Sequence, residues 1–412
     1  MEKLLSFLCI VLAGGSLAAA AVEPQTVEMT VYDDDDVTSL TGYGNCQWLY
    51  PLNEPNEALA SEPKYASAKP VYYAAQYGDA ADNVHTLVID ESGGTGSGYD
   101  TVYADLNNDN RLDPASEEFA FELGSTRHTE PVRLKLTVRA GGKEIPYSFQ
   151  FSAFPYKDDN HTVEKVHANC RNSSIMVGEA LFDGKRCKVA LADLDSNGLF
   201  NDYEQGIFRG DRFFVDLDGD GEFRKTDAGP QSFSYARYAQ IGGKWYTVEA
   251  SPDGGTVRIK AAAPLLCTLK TVDCIRSVGL SAPKQYQGIE FDDDRAEAIA
   301  GTYELKSVSL ELTDGDGQVW STYGRYRAAG PKVTILPGVE AQLPRILPLS
   351  VRVDLAAADE GDVVRLEPSI VDAHGGTFST LRKSRSRHEP PASLLIKDAD
   401  GDIVVETKLE YG

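Results

Sequence analysis

Histidine is scarce in this chain of 412 residues, with six copies, and methionine and tryptophan occur three times each. His161 and His167 flank a Val-Glu-Lys segment without the spacing that turns two imidazoles toward one ion, and every histidine stands alone, so solvated or packing roles are expected. There is no His-Glu-x-x-His, no Gly-x-Ser-x-Gly elbow and no glycine-rich phosphate loop. Zinc peptidases, α/β-hydrolases and nucleotide-dependent enzymes are thereby left without a signature. Basic charge is also short: 40 Lys and Arg face 63 Asp and Glu, for a net charge of −23. That balance excludes nucleic acid as a partner and suits cation binding. Beyond the first residues no stretch reaches the roughly 18 apolar residues of a membrane span. None of the six cysteines forms a Cys-x-x-Cys pair, which disfavours redox and zinc-ribbon roles.

The N-terminus has a positive start at Lys3, an apolar run from Leu4 to Leu12 and small residues at Ala18-Ala-Ala-Ala21. These are the parts of a secretory signal peptide, residues 1–21, with cleavage near Ala20 or Ala21. The expectation is a secreted or periplasmic chain. Setting Cys9 aside leaves Cys46, Cys170, Cys187, Cys267 and Cys274. Cys170 with Cys187 and Cys267 with Cys274 are plausible local bridges in an oxidising compartment, leaving Cys46 over, although sequence alone leaves connectivity open.

What the chain has in abundance is acid, and between Asp193 and Asp227 the acid is patterned. Two twelve-residue loops follow one another, Asp193-Leu-Asp-Ser-Asn-Gly-Leu-Phe-Asn-Asp-Tyr-Glu204 and Asp216-Leu-Asp-Gly-Asp-Gly-Glu-Phe-Arg-Lys-Thr-Asp227. A hard divalent cation needs six to eight oxygens. A loop supplies them from side chains at positions 1, 3 and 5, a carbonyl at 7, often a water at 9 and a carboxylate at 12. In the first loop Asp193, Asp195, Asn197, the Leu199 carbonyl, Asn201 and Glu204 fill that list; in the second Asp216, Asp218, Asp220, the Glu222 carbonyl and Asp227 do so. The second departs in carrying Arg224 at position 9 and the shorter Asp at position 12. A weaker copy lies upstream. Asp105, Asn107, Asp109, the Arg111 carbonyl and Asp113 fit positions 1, 3, 5, 7 and 9, but position 12 is Ser116 and the first Glu, Glu117, comes one residue late. A solvated acidic turn is an equal alternative there, and the run Asp33-Asp-Asp-Asp36 reads as a solvated turn.

These loops resemble the calcium-binding loop of the EF-hand and the Asp-x-Asp-x-Asp-Gly loops of dockerins. The resemblance implies Ca2+ as the ion. Both families flank the loop with helices, whereas here Lys188-Val-Ala-Leu-Ala192 and Arg212-Phe-Phe-Val215 lead in as β-like runs, and Gly206 and Gly210 would break a helix after the first loop. A sheet protein with ion-filled connections is expected.

The remainder of the pattern is β. Val132-Arg-Leu-Lys-Leu-Thr-Val138 alternates, Gly141-Gly142 turns, and Pro146 to Phe151 returns, which is a hairpin signature. A Gly242-Gly243 turn before Trp245 to Glu249 repeats that order downstream. The expected fold is mainly β, with tandem β-rich repeats carrying calcium loops followed by an immunoglobulin-like β-sandwich. Residues 22–64 form an irregular N-terminal segment with a lead strand. Residues 65–157 are a first β-rich repeat with the degenerate acidic loop, and 158–262 a second with the two full loops. Residues 263–388 are the immunoglobulin-like domain and 389–412 a C-terminal hairpin, whose Asp398-Ala-Asp-Gly-Asp402 reads as a turn. In this arrangement the chain resembles secreted bacterial proteins with EF-hand-type repeats.

The function expected from these features is that of a calcium-binding, non-enzymatic structural or adhesion protein of the cell envelope or extracellular matrix, with a polysaccharide or protein partner. A carbohydrate-active enzyme with structural calcium is the alternative. It needs two carboxylates about 5 to 9.5 Å apart, and no catalytic pair can be singled out among 63 acidic residues. Trp245 and Trp320 could offer a sugar-stacking surface, although packing inside a β-sandwich is the favoured use.

Overall fold

A computed structural model describes residues 23–33, 46–95, 98–123, 131–157, 164–203, 210–223, 231–271, 274–357, 364–379, 382–383, 393–397 and 403–408. The expected signal peptide, Glu204, Asp227 and the 398–402 turn lie outside them. The protein is mainly β, with no helix among the described residues. Strand formation follows from period-two patterning. Between Val132 and Ala140, Leu134, Leu136, Val138 and Ala140 are buried while Arg133, Lys135, Thr137 and Arg139 face solvent, because successive strand side chains point to opposite faces.

Three short strands open the described chain: β1 (Gln25–Glu28), β2 (Thr30–Asp33) and β3 (Gln47–Leu49). Next come β4 (Val71–Gln76), β5 (Val84–Asp90), β6 (Thr101–Ala104) and β7 (Glu118–Ala120), which pair consecutively as an antiparallel meander. Strands β8 (Val132–Ala140), β9 (Lys143–Lys157) and β10 (Glu164–Asn172) form a second sheet in the order β3-β10-β9-β8. A third sheet adds β11 (Ser174–Phe182), β12 (Lys185–Ala192), β13 (Arg212–Val215) and β14 (Ser232–Ser234), in the order β14-β13-β12-β11-β2. The fourth contains β15 (Tyr238–Ile241), β16 (Lys244–Ala250) and β17 (Thr256–Ala261), ordered β1-β17-β16-β15.

Thus β1, β2 and β3 each dock on a different sheet assembled downstream, so the N-terminal segment ties three sheets together. The β8–β9 and β15–β16 hairpins turn on glycine pairs, Gly141 and Gly142 at φ 58° and 76° and Gly242 and Gly243 at 56° and 78°. Two successive positive φ values match the twist of antiparallel strands, and glycine adopts them without steric penalty. The four sheets share one core that includes Tyr73, Tyr147, Phe149, Phe151, Phe200 and Phe213. Each such side chain contributes roughly 1.5–3 kcal/mol by leaving water.

A second core follows. Strands β18 (Leu266–Lys270), β19 (Ile275–Ala282), β20 (Gln285–Glu290), β21 (Arg295–Ile299), β22 (Gly301–Thr313), β23 (Val319–Arg325) and β24 (Lys332–Ile335) precede the two-residue β25 (Ala341–Gln342). Then come β26 (Ser350–Ala357), β27 (Val364–Val371), β28 (Thr377–Phe378) and β29 (Arg382–Lys383). A three-stranded sheet β21-β18-β25 contains the parallel pair β18–β25; the larger sheet runs β20-β19-β22-β23-β28-β27-β26, with β24 on β22 and β29 on β23. Leu269 of the smaller sheet and Leu280, Leu305 and Leu310 of the larger share this core. A last hairpin pairs β30 (Ser393–Lys397) with β31 (Ile403–Lys408). No disulfide joins the five described cysteines. Cys170 lies on β10 and Cys187 on β12, in different sheets, so the local bridge their spacing allows does not form.

Candidate metal centre

The three acidic loops share one backbone plan. Each begins on the residue after a strand: Asp105 after β6, Asp193 after β12 and Asp216 after β13. That first aspartate is buried in every case, at 1%, 0% and 4% exposure respectively. Positions 4 and 6 are left-handed in all three, Asn108 and Asn110 at φ 58° and 61°, Ser196 and Gly198 at 60° and 79°, Gly219 and Gly221 at 84° and 85°. Turning those two residues aims their backbone N–H groups inward, where the carboxylate of position 1 accepts them. Ser196 and Gly198 donate to Asp193 Oδ1 and Oδ2 at 2.7 Å each. Gly219 and Gly221 donate to Asp216 at 2.7 and 2.9 Å. The upstream loop differs in using positions 5 and 6, Asp109 and Asn110, which donate to Asp105 at 3.1 Å each. Gly, Asn and Asp are the residues that visit this conformation readily, which is why the Asp-x-Asp-x-Asn/Asp-Gly pattern writes this turn. Ser196 carries a side chain into it, and its Oγ accepts the N–H of Asn172 at 2.9 Å.

Tertiary context then separates the loops. In the first, carboxylate oxygens of Asp193, Asp195 and Asp211 all lie within 4.8 Å of one another. Asp211 stands outside the twelve-residue loop, on the residue before β13, and is 0% exposed. The returning chain holds it there: Asp211 N donates to Asp202 O at 2.8 Å, Asp202 N donates to Asp211 Oδ2 at 2.7 Å, and Tyr235 N donates to Asp211 O at 2.9 Å. Tyr147 OH donates to Asp193 Oδ2 at 2.7 Å. Asn197 bridges Asp195 and Asp202 through Nδ2, at 3.2 and 2.7 Å. Two oxygens remain. Oδ1 of Asp195 and Oδ1 of Asp211 are buried with no hydrogen-bond partner.

Burial raises the pKa of Asp193 and Asp211 well above the carboxylate range, and the neighbouring carboxylates add to it. Asp195 is raised as well, chiefly by burial. Three carboxylates this close and this dry require either protons or a cation. The two unpartnered oxygens are lone pairs of the kind that a hard ion takes as ligands. Leu199 and Asn201, expected at positions 7 and 9, follow in sequence and are half-buried.

In the second loop Asp216, Asp218 and Asp220 converge in the same sense, but only Asp216 is buried. Asp218, Asp220 and Glu222 face solvent. Gln231 Nε2 donates to Asp218 Oδ1 at 3.0 Å and Glu222 N to Asp220 Oδ1 at 2.8 Å. Lys185 Nζ donates to the Leu217 carbonyl, and Lys188 Nζ to that of Gly221 at 3.4 Å.

In the upstream loop the late carboxylate is occupied by the backbone. Glu117, 3% exposed, accepts Leu106 N at 3.0 Å and Asp113 N at 2.9 Å. Asn107, Asp109, Arg111 and Asp113 are exposed, and Asp109 accepts Arg111 N at 3.0 Å. Burial pushes the Asp105 carboxyl up to about 6, with Glu117 contributing. Among the described residues the Asp193 and Asp216 loops, and not the Asp105 loop, bring three acidic groups together.

Sequence reasoning missed Asp211, Asp202 and Tyr147. Asp202 lies inside the loop at a position the ligand pattern does not use. No local spacing connects Tyr147 on β9 or Asp211 to Asp193, and the signal for Asp211 lies in the pairing of β12 with β13, which returns the chain to the loop it has just left. Comparison of the chain with protein-family models, curated proteins and solved structures finds no match.

Proposed function

We propose that the protein is a secreted calcium-binding β protein without enzymatic activity, in which ions at the Asp193 and Asp216 loops rigidify the sheets that present a binding surface. The observation that carries this reading is the pair of buried, unpartnered oxygens on Asp195 and Asp211, two residues whose carboxylates converge with that of Asp193. Asp193, Asp195 and Asp211 would hold the ion of the first site. Asp216, Asp218 and Asp220 would hold that of the second, with Glu204 and Asp227 as the expected twelfth-position ligands. Oxygen donors without nitrogen or sulfur suit calcium rather than zinc. Secretion past the leader at residues 1–21 places the chain where calcium is plentiful.

Calorimetric titration of the mature chain with calcium and with magnesium tests the reading. Calcium is expected to bind, more tightly than magnesium, and Asp211→Asn to weaken the tighter site. A melting temperature unchanged between millimolar calcium and chelator overturns it. The alternative, a carbohydrate-active enzyme with structural calcium, has one observation in its favour, an aromatic cleft between the two cores; release of reducing sugar by the purified protein would establish it.

A further inference from the structure

Four sheet edges meet at one place. β14 and β15 on the N-terminal core, and β20 and β21 on the C-terminal core, are each the outermost strand of their sheet. Between them lies an open cleft of about 750 Å³, within the roughly 300–1,000 Å³ typical of small-ligand sites. Exposed strand edges ordinarily invite another strand, because their main-chain groups lack partners. Here several of those groups are already bonded, some across the cleft and some within one wall. Gln285 Oε1 accepts Tyr238 N at 3.0 Å. Gln287 Oε1 accepts Ile299 N at 2.7 Å, and its Nε2 donates to Ile299 O at 3.4 Å. Arg237 N donates to Lys284 O at 2.7 Å, closing the junction. These bonds occupy part of the backbone that an added peptide strand would pair with.

What the cleft does offer is aromatic faces beside oxygen acceptors. On the β15–β16 hairpin Gln240 pairs directly with Trp245, and Tyr238 lies two residues from Gln240. Period-two alternation therefore places Tyr238, Gln240 and Trp245 on one face, the two rings as diagonal cross-strand neighbours. Both rings are half-buried, as is Tyr286 on the opposite wall. Arg237 stacks on Tyr238 at 5.2 Å, bracing that ring. Glu290 and Glu297 line the cleft and are exposed. Two basic groups share the lining, Arg212 and Arg295, and Arg295 is engaged by Glu340 at 3.3 Å. Glu290, Asp292 and Glu297 outnumber them on a chain of net charge −23, which disfavours polyanions.

Rings that cover an apolar face, next to carboxylates and amides that accept and donate hydrogen bonds, match the two chemistries of a pyranose, its C–H face and its hydroxyl rim. We propose that this cleft binds a neutral oligosaccharide, stacked on Trp245 and Tyr238 with its hydroxyls directed to Gln240, Glu290 and Glu297. This goes beyond the calcium reading and stands independently of it.

The test is a titration of the mature chain, followed by tryptophan fluorescence and calorimetry, with maltohexaose, cellohexaose, xylohexaose and chitohexaose. A hyaluronan hexamer and a pool of short unstructured peptides serve as contrasting probes. At least one neutral hexasaccharide is expected to bind saturably. Trp245→Ala and Tyr238→Ala should each weaken it by up to about tenfold, the loss of one stacking contact. Trp320→Ala, on β23 and outside the cleft lining, should leave binding unchanged, and calcium titrations of the cleft variants should match the unmutated chain. Failure of every neutral hexasaccharide to bind overturns the proposal. So does binding insensitive to Trp245→Ala in a variant of unchanged melting temperature, or binding confined to hyaluronan or the peptides. Loss of calcium binding with saccharide binding intact would overturn only the metal reading.

Discussion

The Asp193 and Asp216 loops have the same turn and different interiors. In both, a buried aspartate gathers the amides of positions 4 and 6. Around Asp193 the other acidic groups are Asp195 and the wholly buried Asp211, with Tyr147 against them. Around Asp216 the others are Asp218 and Asp220, exposed to water that screens their repulsion. The same short code therefore builds two centres of different electrostatic demand. Local sequence writes the turn, and the tertiary return of the chain decides how strongly the turn calls for charge compensation.

Four experiments sharpen or break that contrast. The largest effect concerns the position 1 carboxylate of the buried loop. Asp193→Ala strands the Tyr147 hydroxyl and the Ser196 and Gly198 amides, each a buried donor left unmade at about 1–3 kcal/mol. A loss of at least ~3 kcal/mol in urea denaturation is expected even in chelator. Asp218→Ala, at an exposed position, should stay within about 0.5 kcal/mol. Similar losses in the two variants would abolish the distinction.

Next in size is the stabilisation by calcium itself. Binding only to the folded state adds RT ln(1 + [L]/Kd), about 2.7 kcal/mol at a hundredfold excess over Kd. Asp211→Asn should remove most of that gain, whereas Asp220→Asn should retain most of it. The reverse ranking, read from melting curves in calcium and in chelator, would make the exposed loop the principal site.

Acid should act oppositely with and without the ion. Asp193, Asp195, Asp211 and Asp105 have folded pKa values raised by burial, Asp105 to about 6. Groups raised in the folded state contribute stability that is complete below the unfolded value near 3.9 and is lost as pH rises through the folded value. In chelator, then, lowering pH from 7.5 to about 5.5 should stabilise the protein as these groups gain protons. In saturating calcium the share from Asp193, Asp195 and Asp211 should vanish or reverse, because protons compete for the same oxygens, while the share from Asp105 persists. Parallel pH profiles in the two buffers would show that the carboxylates do not hold the ion.

The smallest effect is communication between the centres. Asp211 precedes β13 and Asp216 follows it, so ordering either end of that strand helps order the other. Asp216→Ala should weaken the Asp193 site by a coupling of about 1 kcal/mol, reciprocated in the converse variant. Unaltered affinity at the remaining site, measured by titrating each single-loop variant, would make them independent.

Much of the fold was legible wherever a rule of short range operates. The alternation from Val132 to Val138 and the paired glycines at 141–142 and 242–243 specify hairpins within a few residues, and the acidic loops specify their own turns. What escaped notice is long in range. Thr-Val-Glu-Met-Thr-Val-Tyr, residues 26–32, alternates well enough to be strand, but nothing in it names β17 and β11 as the partners of its two halves. Asp211 could not be assigned because its position depends on an excursion that leaves β12 and comes back as β13. The cleft is more remote still, being made from four edges that no local pattern places side by side.

The position of Asp211 also bears on when an ion can enter and how long it stays. The acidic groups of the Asp216 centre span five residues, 216 to 220, so that centre assembles when one turn closes, an event of the order of 10–100 ns for short loops. The Asp193 centre needs Asp211 from beyond the excursion and Tyr147 from another sheet. It can form only after β9, β12 and β13 have met, late in a fold dominated by slow, non-local pairings. An ion seated there would be among the last parts to arrive. Its escape would be timed by the rate at which the sheets separate rather than by the exchange of water at an open surface.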